Sequence, residues 1–582
     1  MISMRPWAAL ALCVIGASLG CHASGLSAPS CGDWPQWGQS AIHNDASCVV
    51  GQLPTKTLDD FTYDPFVQPE VAGSFGLTTH YQVPLIVGDD VYVELKTGSY
   101  TACMPGTNDM PAGCGWASWN QEIWNEVHFK IGDDGKLTRD WTYASDWKPE
   151  QSPNIFEPVF HAAVFGKFIY IPAANGAVDK VDRKSGKLVQ RASAATPGAG
   201  DVNFVAGPVV ADATGNVYYN VLTLNAADPW NQDGSGMLVQ LRPDDTTLTI
   251  DYRLLVPDAP LASDLCTVGY DSTLYPLPWP PPANADGSIP QPVQSACGTQ
   301  RPGINIAPAI GPDGTIYTAS HAHFNTQYSY VIAVTPQMTP KWATSLRNLV
   351  NDGCGVLSPS DGQMLGTHCS IGAPMGVDPA TGQPPAIAVD DSSSSTPVVL
   401  PDGNILYGGL TFYNDYGGHL LQLDPNGKYL ANYPFGWDVT PAIQVHDNTY
   451  SIITKDNLYG QDYNDQGTYY IRSLNSFLQS EWTYQSTNTK DCTRDAAGTL
   501  SCVDDHPNGF EWCINAPAVD ADGNIYGNSE DGNMYVLDKA GNLKTSYFLN
   551  QAIAAAYTPV ALDGKGRIFA LNSGHLMVLG GD

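Results

Sequence analysis

The chain has 582 residues and carries 27 Lys and Arg against 58 Asp and Glu, a formal charge of −31. So acidic a chain offers no footprint for nucleic acid or anionic lipid, and with 43% hydrophobic but only 15% charged residues it is not kept unfolded by charge. Its 57 glycines, 44 prolines and 10% aromatics mark a turn-rich β protein and exclude a helical bundle.

Residues 1–23 begin with Arg5 as the only charge, run through the apolar stretch 7–15 and end in small residues. That stretch is too short to span a bilayer and reads as an export signal, with no transmembrane segment. Cleavage after Ala23 competes with lipid attachment at Cys21, within a lipobox-like Ser18-Leu-Gly-Cys21, so the expected location is periplasmic or secreted, or that of a membrane-anchored lipoprotein. Residues 24–56 form a lead-in that Cys31 and Cys48 would close, and 57–63 has the look of a strand. Further short-range couples are Cys103 with Cys114, Cys266 with Cys297, Cys354 with Cys369, and Cys492 with Cys502, spacings that an oxidising compartment would turn into disulfides. Cys513 is left over and reads as a buried thiol rather than a reactive one. The absence of any Asn-X-Ser/Thr sequon favours a bacterial periplasm or exterior.

From residue 84 onward one unit recurs: a Pro, apolar residues, an Asp/Gly/Asn turn and an aliphatic–aromatic pair. Copies occupy 84–92, 208–218, 308–317, 397–407, 441–450, 517–526 and 559–569, with a looser one at 158–170. Each reads as a β-hairpin, and two short strands follow in most copies, as at 534–538 and from 543. Eight such units predict one all-β, eight-bladed β-propeller over 57–582. The last copy runs out of chain before its fourth strand, so 57–63 is expected to supply it, closing the ring and removing exposed sheet edges. The irregular spacing of the prolines predicts insertions gathered on the two rims.

Residues 518–526, 531–538 and 541–544 resemble the repeats of the quinoprotein-like propellers, and Asp33-Trp-Pro-Gln-Trp-Gly38 with His43-Asn44 is similar to the lead-in these proteins often carry. The resemblance covers nearly all of the chain beyond the signal. It implies the fold strongly and the function weakly, because that superfamily holds both pyrroloquinoline-quinone dehydrogenases and non-enzymatic assembly lipoproteins. An adjacent Cys-Cys pair, a Cys-x-x-Cys-His haem site and most of the Trp-docking endings are missing; Lys341-Trp342 and Glu481-Trp482 are fragments of the last. The chain is therefore read first as a propeller binding a small-molecule or carbohydrate ligand, or a protein partner, at its channel mouth. The alternative is a quinone- and Ca²⁺-dependent dehydrogenase of alcohols or sugars, with a carbohydrate-active lyase behind it.

With the repeat as its own alignment, the residues before the eight prolines are Val83, Glu157, Gly207, Ala307, Thr396, Thr440, Ala516 and Thr558. Glu157 alone is charged, and a carboxylate at a channel position needs a partner. Slightly upstream stand His80, Asn203, Asn305 and Asp438. A carboxylate beside Asn carbonyls suits Ca²⁺, and the resemblance implies Glu157 and Asn203 as the metal ligands, with Asn305 and Trp437 completing the cofactor surroundings. Asp438 is the candidate base for an alcohol proton and His80 a second catalytic candidate. The structural alternative is that Glu157 satisfies a neighbouring Arg or backbone amides and that the Asn side chains bond turns. His321-Ala-His323 would set two rings on one face of a strand, a chelating pair without an identifiable third ligand. The Trp-bearing insertion 103–124 would suit stacking on a sugar or a flat cofactor, and 390–395, Asp-Asp followed by four Ser, reads as a solvated connector into blade five.

Overall fold

The computed structural model describes residues 30–67, 69, 82–100, 121–149, 159–267, 285–288, 294–350, 386–411, 417–458, 467–495, 497–514, 516–552 and 559–581. Eight antiparallel sheets follow one another along the chain as propeller blades. Their inner strands are Leu85–Val87, Ala163–Phe165, Val210–Ala211, Ala309–Ile310, Val398–Val399, Ala442–His446, Ala518–Val519 and Ala561–Leu562. Lys56–Thr62 pairs antiparallel with His575–Gly580 as the outer strand of blade eight, so the ring closes as the sequence predicts. Blades three and four each add a fifth strand, Asp201–Val205 and Gln300–Pro302.

Scarce charge follows from this layering. The second strand of blade three, Val217–Asn225, is buried at all but its last residue, whereas the outer strand Leu137–Ala144 keeps most of its residues in contact with solvent. Much of the acidity is consumed in turns. Asp212 accepts the backbone N–H of Thr214 at 2.8 Å and of Asn216 at 3.0 Å, and its other oxygen accepts the Tyr218 hydroxyl at 3.1 Å. Asp520 repeats the pattern with Asn524 and Tyr526, which explains why a tyrosine so often follows the aliphatic residue of the repeat. Between blades, the indoles of Trp141, Trp342 and Trp482 donate to the carbonyls of Arg183, Pro425 and Lys539 at 2.9–3.1 Å. Trp141 thus adds a third docking contact to the two fragments read from the sequence.

The lead-in travels around the channel, touching the blades in order. Trp34 exchanges two backbone hydrogen bonds with Ile86 of blade one, at 2.7 and 2.8 Å. Pro35 O accepts Val164 N in blade two, and the Gln36 side chain accepts Ala211 N in blade three. Ala41, Ile42, Asn44 and Asp45 accept from Ile310, Val399, Ile443 and Val519 in blades four to seven, and Gln52 N donates to Gly566 in blade eight. Such a circuit needs a sharply curved backbone: Gly38 has φ +66, and a Cβ there would stand 2.6 Å from the His43 backbone. Cys31–Cys48 joins the ends of the loop. Disulfides Cys266–Cys297 and Cys492–Cys502 also form as expected; Cys103, Cys114, Cys354 and Cys369 lie outside the described residues.

At this plugged end every connection is a turn of two to five residues. The long connections, such as the chain between Asp251 and Ala309, gather at the opposite end, where the chain enters the inner strands. The insertions therefore crowd one rim, not two: the lead-in already occupies the other. No helix among the described residues is long and apolar enough to cross a membrane.

Candidate functional site

The hairpin registers redefine which residues ring the channel end opposite the plug. Tyr170 pairs with Ala163 as Tyr317 pairs with Ala309, which puts Ala162 at the proline position of blade two and His161 before it. The looser copy 158–170 is longer than the others by the residues that displaced Glu157 from this alignment. Glu157 and His80 themselves lie outside the described residues. His161 is buried, and its ring meets that of Trp37 of the plug edge-on at 5.6 Å. With Gln82, Glu94, Glu126 and Phe160 it lines a small recess between blades one and two. Burial pushes Glu126 up to about 8 and His161 down to about 4, since enclosure disfavours the charged form of each.

Asn203 and Asn305 serve the frame. The Asn203 amide donates to Ala195 O at 2.8 Å and its oxygen accepts the Thr223 hydroxyl at 2.7 Å, pinning the added strand of blade three. Asn305, in the left-handed region at φ 66, donates its N–H to Ala206 O and accepts Val159 N through its side chain. Ca²⁺ takes six to eight oxygens at 2.3–2.6 Å. The engaged oxygen of Asn203 does not fit that requirement, and the described residues assemble no such cage around it.

Asp438 and Trp437 stand in a different setting, an ionic seam running from blade four to blade six. Arg301 grips Asp391 through both guanidinium ends, at 3.0 and 2.5 Å, and donates Nε to His323 Nδ1 at 3.0 Å. His321 Nε2 lies 3.0 Å from Asp391 and Nδ1 2.9 Å from Ala322 O, so both ring nitrogens face acceptors. Trp230 stacks on His323 at 5.7 Å and underlies the Arg301 guanidinium at 5.5 Å. The paired histidines are thus committed to Asp391 and Arg301 rather than to a shared metal. Burial alone would raise Asp391; the Arg301 and His321 charges override it and hold the carboxyl well below its usual range. Its neighbour Asp390 is raised, by enclosure first and by the Asp391 charge in addition.

Asp390 accepts the Trp437 indole N–H at 3.2 Å, which carries the seam to blade six. Asp438, fully buried and left-handed at φ 55, accepts Ser394 N at 2.7 Å and Ser394 Oγ at 2.8 Å. Its second oxygen lies 3.8 Å from Nζ of Lys455, also fully buried. Far from being a solvated connector, 390–395 is packed into the wall: Ser393, Ser394 and Ser395 are buried and bonded to one another or to the Asp438 loop. The segment is polar because each hydroxyl satisfies a buried neighbour.

No family model and no curated protein matches the chain. Among solved structures, a europium-containing methanol dehydrogenase aligns over 93% of this chain and 89% of its own, with TM-score 0.51 and 11% identity. The quinohemoprotein alcohol dehydrogenase from Comamonas testosteroni covers 95% and 81%, with TM-score 0.47 and 11% identity. At such identity the likeness is one of fold: the chain shares its propeller architecture with the methanol dehydrogenase.

Proposed function

We propose that this protein, exported to the periplasm or exterior, binds a small polyhydroxylated ligand, a sugar or polyol, at the open mouth of its channel. The observation that carries this reading is the adjacent pair Asp390 and Asp391, driven apart in acidity and flanked by the indoles of Trp437 and Trp230. A protonatable carboxyl beside an ionised one offers both a donor and an acceptor to hydroxyl groups, and indoles supply flat apolar faces for sugar C–H surfaces. Titration calorimetry with glucose, sorbitol and glycerol tests this reading: one of them binds wild type, and Asp390→Asn with Trp437→Phe weakens binding at least tenfold. No heat with any of the three, or affinity unchanged in both variants, overturns it.

The second reading is a quinone-dependent alcohol or sugar dehydrogenase, supported by the shared architecture with the methanol dehydrogenase over nearly the whole chain. There Glu157 is the proposed Ca²⁺ ligand and Asp438 the proposed base, while Asn203 stays bonded to Ala195 and Thr223 in the frame. Reduction of an artificial acceptor that requires both pyrroloquinoline quinone and Ca²⁺ would favour it; its absence would leave the binding reading.

A further inference from the structure

The segment entering blade seven carries a second polar constellation, on the same rim but with different chemistry. Glu511-Trp-Cys513 is irregular chain in which Trp512 points into an aromatic pocket with Tyr484 and Tyr535, at ring distances of 6.1 and 5.1 Å. Glu511 and Cys513 come together with Glu530 from the connection between the second and third strands of the same blade. One carboxylate oxygen of each Glu and the Cys513 sulfur all lie within 4.8 Å of one another. Ligands of one tetrahedral zinc ion stand about 3.4–3.6 Å apart, given bonds of about 2.1 Å to oxygen and 2.3 Å to sulfur. Small side-chain rotations close that gap.

Two independent features point to a cation. Asn457, itself 1% exposed, donates to Glu511 Oε1 at 3.2 Å and to Trp512 O at 3.0 Å and accepts Trp512 N at 3.2 Å. A buried amide that fixes a ligand from behind is the support metal-binding side chains characteristically have. Cys513 is the unpaired cysteine among described residues that otherwise form disulfides, and it is buried between carboxylates.

We infer that Glu511, Cys513 and Glu530 form a three-ligand site for a thiophilic divalent cation, zinc by preference. Sulfur with two carboxylate oxygens disfavours Ca²⁺ and Mg²⁺, which take oxygen alone, and three protein ligands leave a fourth position open. The inference stands apart from the polyol reading, because its test reads the metal and not the mouth ligand.

Chelator-treated full-length protein, its disulfides intact, is titrated with Co²⁺. A thiolate-to-cobalt charge-transfer band in the near ultraviolet should saturate at one equivalent and be displaced by Zn²⁺. Cys513→Ser should lose the band, Glu530→Gln should weaken zinc binding at least tenfold, and Asn457→Ala by about ten- to a hundredfold. Absence of the band in wild type, or its survival in Cys513→Ser, overturns the site. Should Cys513→Ser fail to fold, alkylation of the wild-type thiol by iodoacetamide decides: protection by zinc supports the site, and equal rates with and without zinc refute it.

Discussion

At the closed end of the channel the lead-in meets the blades largely through backbone hydrogen bonds and two fully buried indoles, Trp34 and Trp37; in the seam at the other end, the Asp391–Arg301 pair keeps its charges. The electrostatic outcome in the plug is the opposite of that in the seam. In the plug, enclosure pushes His43 down to about 4 and raises the Asp45 carboxyl, so both groups are held neutral. In the seam, Asp391 is mostly buried, with 16% of its side chain exposed, and stays ionised because Arg301 and His321 face it. A partner within hydrogen-bond reach, not depth, decides which form survives. The plug is built for stability, and the seam retains charge at a cost to stability that a purely structural wall would avoid.

The largest expected effects test that division directly. Trp34→Ala, removing a fully buried indole from the plug, should cost about 3–5 kcal/mol in urea unfolding and leave ligand affinity at the mouth unchanged. Arg301→Met should cost a similar ~3–5 kcal/mol, because Asp391 is left ionised without its partner. The double variant Arg301→Met/Asp391→Leu should recover most of that loss while abolishing binding at the mouth. A double variant as unstable as the single one would show that the pair serves the fold, and the contrast between the two ends would disappear.

Opening the plug's disulfide comes next. Cys31→Ser/Cys48→Ser frees a loop with a sequence separation of 17 residues and should cost about 3 kcal/mol by loop entropy, read as a lower urea midpoint. Acid exposes the plug in a different way. The unfolded chain protonates His43 near 6.5, the folded protein only near 4, so stability is full above 6.5 and falls as pH drops towards 4, on the order of 3 kcal/mol in all. His161 adds a slope of the same sign over the same window. Glu126, pushed up from 4.5 to about 8, acts in the opposite sense, its stabilisation being lost as pH rises through that interval. His43→Asn should flatten the acid limb of urea midpoints measured between pH 7.5 and 4.5, and an unchanged limb would remove His43 from the account.

The ring was legible because its signals are local: turn aspartates, aliphatic–aromatic pairs and a final hairpin short of one strand each fix their own neighbourhood. The docking residue Trp141 and the course of the lead-in follow from contacts between distant blades, which no single repeat displays. The seam was harder to see. Asp438 and Trp437 emerged from their position before a repeat, but Lys455 needed the register. Counted from Ile452, it occupies the position held by Asn220, Ala319, Gly408 and Asn528 in other second strands, and only Glu94 of blade one is also charged there. That mismatch was present in the sequence and required an alignment anchored on the aliphatic residue rather than on the proline. Anchoring on the proline is also what placed Glu157, rather than His161, in the ring of channel positions.

The smallest effect concerns the joints that hold both ends in register. Trp482 reaches from blade six to the Lys539 carbonyl of blade seven and covers Gly541, where a Cβ would lie 2.5 Å from the ring. Trp482→Phe keeps the aromatic cover and loses one hydrogen bond, for about 1 kcal/mol. Gly541→Ala should cost more, since φ +81 strains any other residue and the added carbon collides with the indole. Glu530 and Cys513 belong to the same blade seven but lie at its opposite end, among the connections of the mouth. If the outer joints only fasten blades, both variants lower the urea midpoint and leave zinc affinity at that rim untouched. A change in zinc affinity that tracks the loss of stability would mean instead that blade seven moves as a rigid lever, coupling the turns of the plugged end to the mouth.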